Sequence, residues 1–328
     1  MSDFNDLFND ETLDKKMSFL DDKKAVGKDG IYRVDLSKVS DKKSGYKATI
    51  RLLPNFTKEG KIGPSAIEKT THYVDLKQSP DLAGYYDSPK NINPETGQPF
   101  EDKCLLTDTY WSMKNSKNAI LHEKANALKY SRKYFSYCLV IEDEHQPDLV
   151  GKIMIFQYGK TIKDKIAQEK EGEISGEKCN IFSLTSGKDL RLIVKEVQDD
   201  KGNTMPDYRM CQFKSSVTPV SIANKAGELK SVPLEDGKIP TEMQEKVKDF
   251  LLSREVEIDD FAPKALTSEQ KQKINQIIAQ LTGKSTGADM NTMSNEATED
   301  DFSFDDASED STDSSSESDD DDFDFDDF

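Results

Sequence analysis

The stretch KYSRKYFSY, residues 129–137, interleaves three cations (Lys129, Arg132, Lys133) with four aromatic rings (Tyr130, Tyr134, Phe135, Tyr137). Cationic side chains pair with phosphate and flat rings stack on unpaired bases, so the combination suits a single-stranded nucleic acid. An ordinary strand, with its rings in a core and its lysines in water, accounts for the same nine residues equally well. The next segment, GKIMIFQYGK (151–160), alternates so that Met154, Phe156 and Tyr158 share one face, with Lys152 and Lys160 at its ends. Two neighbouring strands of this kind favour a groove surface over an ordinary core. Arg51, in TIRLLP, and Tyr208, in the loop of residues 198–209, are weaker candidates for the same contact, and a purely structural role suits either.

Other chemistry lacks its motifs. GKTI at 159–162 has no upstream glycine to complete a phosphate-binding loop, and no G-x-G-x-x-G, H-E-x-x-H or G-x-S-x-G occurs. The three histidines, His72, His122 and His145, are scattered, and Cys104, Cys138, Cys179 and Cys211 form no C-x-x-C pair. The chain is therefore expected not to be an enzyme, and its cysteines to stay reduced in a cytoplasmic setting. No run of about 18 apolar residues could span a membrane.

Charge sharpens the picture. The 328 residues sum to -18, but residues 285–328 carry 18 of the 63 acids and none of the 45 bases. The first 14 residues add five acids and no base, which leaves residues 15–284 about five units positive. A mildly basic body thus sits between acidic ends.

The elements that must position these residues are mostly short strands. YKATIRLLP (46–54), YFSYCLVIED (134–143), IMIFQY within 151–160 and the end of IFSLTSGKDLRLIVKEV (181–197) have strand composition, as does GIYRVDLSKV (30–39). The strands at 134–143 and 151–160 are expected to pair antiparallel across the HQPD turn. Residues 78–103 are turn formers throughout. Helices are expected between Ser116 and Leu128, over 161–171, in TEMQEKVKDFLLSR and in SEQKQKINQIIAQLTGK, with Gly283 as a stop. The class is mainly β with peripheral helices (α+β), a small barrel carrying insertions. The expected organisation is a mobile arm at 1–28, a core at 29–253, a helical segment or linker at 254–284, and a tail at 285–328 too poor in apolar residues to order.

The run KYSRKYFSYCLVIED…GKIMIFQYGKTIKDKI resembles the core of the single-stranded DNA-binding (helix-destabilising) proteins of T-even-like bacteriophages, the gene 32 protein family. YRVDL…YKATIRLLP and GKDLRLIVKEV, with its loop to Tyr208, follow in matching order. The resemblance implies a five-stranded OB-fold-like barrel with insertions and a basic, aromatic cleft that coats single-stranded DNA in replication, recombination and repair. It places Lys129, Arg132 and Lys133 on the basic cluster, Tyr134 and Phe135 on an aromatic pair, and Phe156 on a stacking position. Arg51 and Tyr208 fall on an early-strand arginine and a loop tyrosine; Tyr130, Tyr158 and Lys160 complete the candidate set. Implied partners are single-stranded DNA, further copies of the chain along it, and phage replication and recombination proteins bound by the tail, in the cytoplasm of an infected bacterium.

Two departures from the family stand out. Its zinc subdomain uses one histidine and three cysteines, whereas here YDSPKNINP (86–94) places proline and asparagine at cysteine positions, leaving His72, Cys104 and distant His122. No metal and no cofactor are expected, with His72 on the surface or half-buried in a loop. The family's basic N-terminal motif is also missing, the first bases being Lys15 and Lys16. In the tail, Phe323, Phe325 and Phe328 stand among aspartates. Aspartates resemble a phosphate backbone and the rings resemble bases, so the tail is expected to occupy its own cleft or partner pockets; a solubilising tail is the plainer alternative. A rival function is an acidic chaperone or nucleic-acid mimic that binds basic partners.

Overall fold

The computed structural model describes residues 30–283, apart from 42, 175, 199–201, 203 and 225–227. The expected arm and tail, including Phe323, Phe325 and Phe328, lie outside the described residues.

Nine strands form one sheet among the described residues: β1 (Ile31–Tyr32), β2 (Tyr46–Leu53), β3 (Ile67–Val74), β4 (Gly84–Asp87), β5 (Tyr130–Asp143), β6 (Ile153–Tyr158), β7 (Asp189–Gln198), β8 (Thr204–Asp207) and β9 (Gln212–Phe213). The order is β1-β6-β5-β2-β7-β8, with β3 also on β5, β4 on β3 and β9 on β7. β5 and β6 pair antiparallel as expected, from Tyr134 opposite Tyr158 to Leu139 opposite Ile153. The strand pairings do not close a ring. Tyr32, from one end of the order, and Val194, towards the other, nevertheless belong to one core cluster, so the sheet curls in an OB-like manner.

β5 organises the molecule. On one edge its first part, 130–135, pairs with β3 and its second, 137–143, with β2. On the other edge β6 covers only 134–139, so 130–133 have no strand beside them there. Both faces of its middle are buried. Tyr134, Cys138 and Val140 join Met154, Phe156, Tyr158, Ile50 and Leu192 in the first cluster. Phe135, Tyr137 and Leu139 meet Val220, Val232, Val247, Leu251 and Ile258 in the second.

The second cluster exists because the C-terminal segment returns over the sheet. It brings the hairpin β10 (Ser221–Ala223) and β11 (Leu229–Ser231), then a helix over Thr241–Leu252. The Tyr137 hydroxyl fastens this segment, donating to Glu257 (3.1 Å) and accepting the Ile258 N–H (2.8 Å), while the Arg254 guanidinium lies 4.5 Å from the ring centre.

Helices in chain order are α1 (Leu105–Lys114), α2 (Ala119–Lys124), α3 (Lys160–Glu171), α4 (Thr241–Leu252) and α5 (Ser268–Thr282). The single helix expected between Ser116 and Leu128 is instead α2 followed by a 3-10 turn, Ala125–Leu128. The Asn118 side chain accepts the Ile120 N–H and starts α2 afresh, as a good N-cap does. The expected strand at 30–39 ends after Tyr32, because Asp35 caps a 3-10 turn over Leu36–Lys38. In α5 a reciprocal capping box joins Thr267 and Gln270, and Gly283 closes the helix at φ 70°. Ile274, Ile277 and Leu281 of α5 pack with Val74, Leu82, Leu106 and Leu128 in a third cluster. Residues 254–283 thus pack into the folded body.

Candidate nucleic-acid interface

The returning segment stops covering the sheet at Phe261, which stacks on Phe135 with ring centres 5.3 Å apart. Beyond it the same face of β3, β4 and β5 opens into a groove of about 660 Å³ lined by Tyr73, Tyr85, Tyr130, Phe135, Phe261, Lys69, Lys129 and Lys133. Tyr73 and Tyr85 sit directly opposite each other on β3 and β4, 42% and 60% exposed, with ring centres 4.9 Å apart. Exposed rings held in place by a sheet are ready stacking platforms. Tyr130 is held edge-on to Tyr110 at 5.9 Å and lies 5.4 Å from the His72 ring.

Lys69 and Lys133 face each other across β3 and β5. Like charges directly opposite are destabilising. Lys69 is offset by Asp87 at 3.0 Å, and Asp87 also accepts the Lys264 N–H. Asp75 and Asp260 also line the groove, so its charge is mixed and its rings dominate.

A second groove, about 850 Å³, lies past Lys133 and is lined by Tyr32, Arg33, Val34, Phe156, Gln157, Glu196, Met205 and Tyr208, among others. Its wall is fixed from below. The Tyr32 and Tyr46 hydroxyls both donate to Asp143 Oδ2 (2.6 and 2.5 Å), and the His145 and Gln146 N–H groups donate to Oδ1. Gln146 Nε2 in turn donates to the Arg33 carbonyl at 2.9 Å. Burial, reinforced by Tyr46 and Asp143, pushes the Tyr32 hydroxyl far above its ordinary pKa, so it stays a donor.

The sequence-based candidates divide between these grooves and the interior. Lys129, Tyr130, Lys133 and Phe135 line the first groove; Lys133 and Tyr208 line the second, with Phe156 buried beneath it. Arg51 is corrected to an interior residue. It is 1% exposed, bonded to Asp189 (3.0 Å), the Thr218 hydroxyl and carbonyl, and the Ser183 carbonyl, with Nε buried and unpartnered. Burial lowers its pKa and Asp189 pulls it back. A guanidinium enclosed in this way has no donor to offer a phosphate.

Tyr134, Phe156 and Tyr158 are likewise corrected to core positions, at 7%, 1% and 4% exposure. Tyr134 and Phe156 each stack on Tyr158, with ring centres 5.7 and 5.4 Å from it, inside the first cluster. Tyr158 also shares a 3.0 Å hydrogen bond with Ser136, and burial pushes its pKa up to about 12. Arg132 pairs with Glu68 at 3.3 Å and lines neither groove, and Lys160 is the exposed first residue of α3. Tyr73, Tyr85 and Lys69 were missed by sequence. Their signal was the alternation in EKTTHYV and the tyrosine pair in GYYD, each within a short strand bordered by turn residues.

His72 is fully buried on β3, not in a surface loop. Nδ1 meets the Leu128 carbonyl, and Nε2 meets the Thr107 hydroxyl (3.1 Å) and Cys104 Sγ (3.4 Å). Burial raises the Cys104 thiol, but the hydrogen bonds from His72 and Thr107 outweigh it and bring its pKa down to about 7. A structural zinc needs four nitrogen or sulfur donors. Among the described residues no three His, Cys, Asp or Glu side chains gather. One imidazole and one thiol with a threonine between them do not fit that metal.

The family model described as gp32 DNA binding protein like matches residues 44–278, from the turn before β2 almost to the end of α5. No curated protein matches the chain.

Proposed function

Because the chain belongs to the gp32-like DNA-binding protein family, we propose that it coats single-stranded DNA, largely without regard to sequence, as a stoichiometric binder rather than an enzyme. The observation that carries this reading is the exposed Tyr73–Tyr85 pair beside Lys69, Lys129 and Lys133 in an open groove. Duplex bases are stacked inward and offer such rings nothing, whereas unpaired bases offer their faces. Titration with oligo(dT) across a salt series tests it. Three lysines neutralising three phosphates give a log–log slope of about -2, and charge reversal of Lys129 and Lys133 should flatten it. A protein that binds no single strand at low salt is instead an acidic chaperone or nucleic-acid mimic.

The finer roles belong to the same proposal. The arm at 1–28 links copies along the strand, and the 18 acids of residues 285–328 compete for the grooves and recruit replication, recombination and repair proteins of the phage. The setting is the cytoplasm of an infected bacterium, and no metal or other cofactor is used. Deleting residues 285–328 should tighten DNA binding most at about 0.01 M salt, where charge reaches about 30 Å, and less at 0.1 M, where it reaches about 10 Å. Equal affinity of the deleted and full chains at low salt would sink the competition, and Phe323, Phe325 and Phe328 changed together to Ala separates rings from charge.

A further inference from the structure

We propose that the two grooves form one track for a single strand, running across the β-strands, with Lys133 as the joint between its halves; this rests on the single-stranded DNA reading above. Lys133 lines both grooves. The strands beneath lie in the order β4-β3-β5-β6-β1. Tyr85 faces Tyr73, Lys69 faces Lys133, and Phe135 faces Gln157, and side chains two apart on a strand share a face. Tyr85, Tyr73, Lys69, Lys133, Phe135 and Gln157 therefore lie on one face and lead towards Arg33, which follows the Tyr32–Phe156 pair at the end of β1.

The crossing point is also where the sheet is incomplete. β6 stops at Tyr158 and the chain leaves through Gly159 into α3, so no strand among the described residues pairs with β5 at 130–133 on that side. Lys133 is the side chain that spans the step. Four inter-strand gaps of about 4.8 Å give a track of roughly 19 Å. The two ends differ in chemistry: the first groove offers the exposed Tyr73–Tyr85 pair, and the second offers Tyr208 with the Arg33 cation.

Two linked subsites bind a strand long enough to reach both far more tightly than one that fills only one. Affinity should therefore rise in two stages with strand length; Tyr208 and Arg33 should matter chiefly for the second stage, and Lys133, which lines both grooves, for both. The test is a ladder of oligo(dT) from about 2 to about 16 nucleotides, bracketing the site sizes of OB-type modules. It is run at one low salt concentration on the full chain and on Lys133→Ala, Tyr208→Ala and Arg33→Glu. Arg33→Glu covers the risk that Tyr208→Ala, which also packs on the first cluster, fails to fold.

The expected result is a loss of about tenfold for long strands in each variant, shrinking as the strand shortens for Tyr208→Ala and Arg33→Glu but persisting for Lys133→Ala. If Tyr208→Ala and Arg33→Glu, folded by their melting curves, bind every length like the intact chain, the strand occupies the first groove alone. That outcome overturns the joined track and leaves single-stranded DNA binding standing. If no length binds at all, both fall together.

Discussion

Changing Tyr73 and Tyr85 together to alanine is expected to give a protein that folds normally and grips single-stranded DNA poorly. Each stacked ring is worth about 1–3 kcal/mol in such sites. With ring centres 4.9 Å apart, too close to hold a base between them, the two serve neighbouring bases, so the double change should cost more than either single change and less than their sum. Both rings stand well out in water, so little packing is lost. Oligo(dT) titration beside a melting curve is the measurement. Tyr134→Ala and Phe156→Ala should show the opposite signature. They empty the first cluster, at a cost of about 3–5 kcal/mol of stability, with DNA affinity per folded molecule nearly kept. Double-variant affinity equal to that of the intact chain would remove this pair from the interface.

The second large effect falls on stability alone. Arg51→Ala should destabilise the fold by about 3 kcal/mol or more, the low end for breaking a buried charge pair, since Lys214 still lies 3.4 Å from Asp189. At this chain length that shifts the melting temperature down by about 6–12 °C. The Thr218 hydroxyl and carbonyl lose the Arg51 donors in the same change, and the Ser183 carbonyl is left with the Gly187 N–H. Arg51→Lys should rescue little, because one ammonium cannot replace a fork that reaches Asp189, Thr218 and Ser183 at once. A variant that melts with the intact protein but loses oligonucleotide affinity would return Arg51 to the binding surface.

Arg51 and Tyr134 also show where the sequence stopped being informative. The β5–β6 hairpin, α3, α4 and α5 were legible because their signals are local: alternation, a helical period, a Thr267–Gln270 cap, a glycine stop. Alternation divides a strand into two faces but does not say which of them meets water. In β5 both faces are buried over the middle, since α4 and the β10–β11 hairpin return from about a hundred residues away. That return decided the fate of the aromatic cluster. Lys129, Lys133 and Phe135 came to the groove, while Tyr134 turned inward and Arg132 turned to Glu68. Tyr73 and Tyr85 meet only through the register of β3 against β4, and β3 earns its place by pairing with β5 about sixty residues on. Such long-range pairings leave no trace in composition.

The Phe261–Phe135 stack carries a consequence for how the protein is made. A chain emerges from the ribosome from its N-terminus, and its domains fold in that order. Tyr73, Tyr85 and Lys133 are all synthesised well before Phe261, which walls their groove, and before α5, whose Ile274 and Ile277 share a core with Val74 at the end of β3. The nascent sheet therefore waits, with Phe135, Tyr137 and Leu139 uncovered, until residues 220–262 have been translated. The groove is completed only when Phe261, late in the described residues, has left the ribosome, so a half-made copy should have no finished surface with which to seize a passing strand.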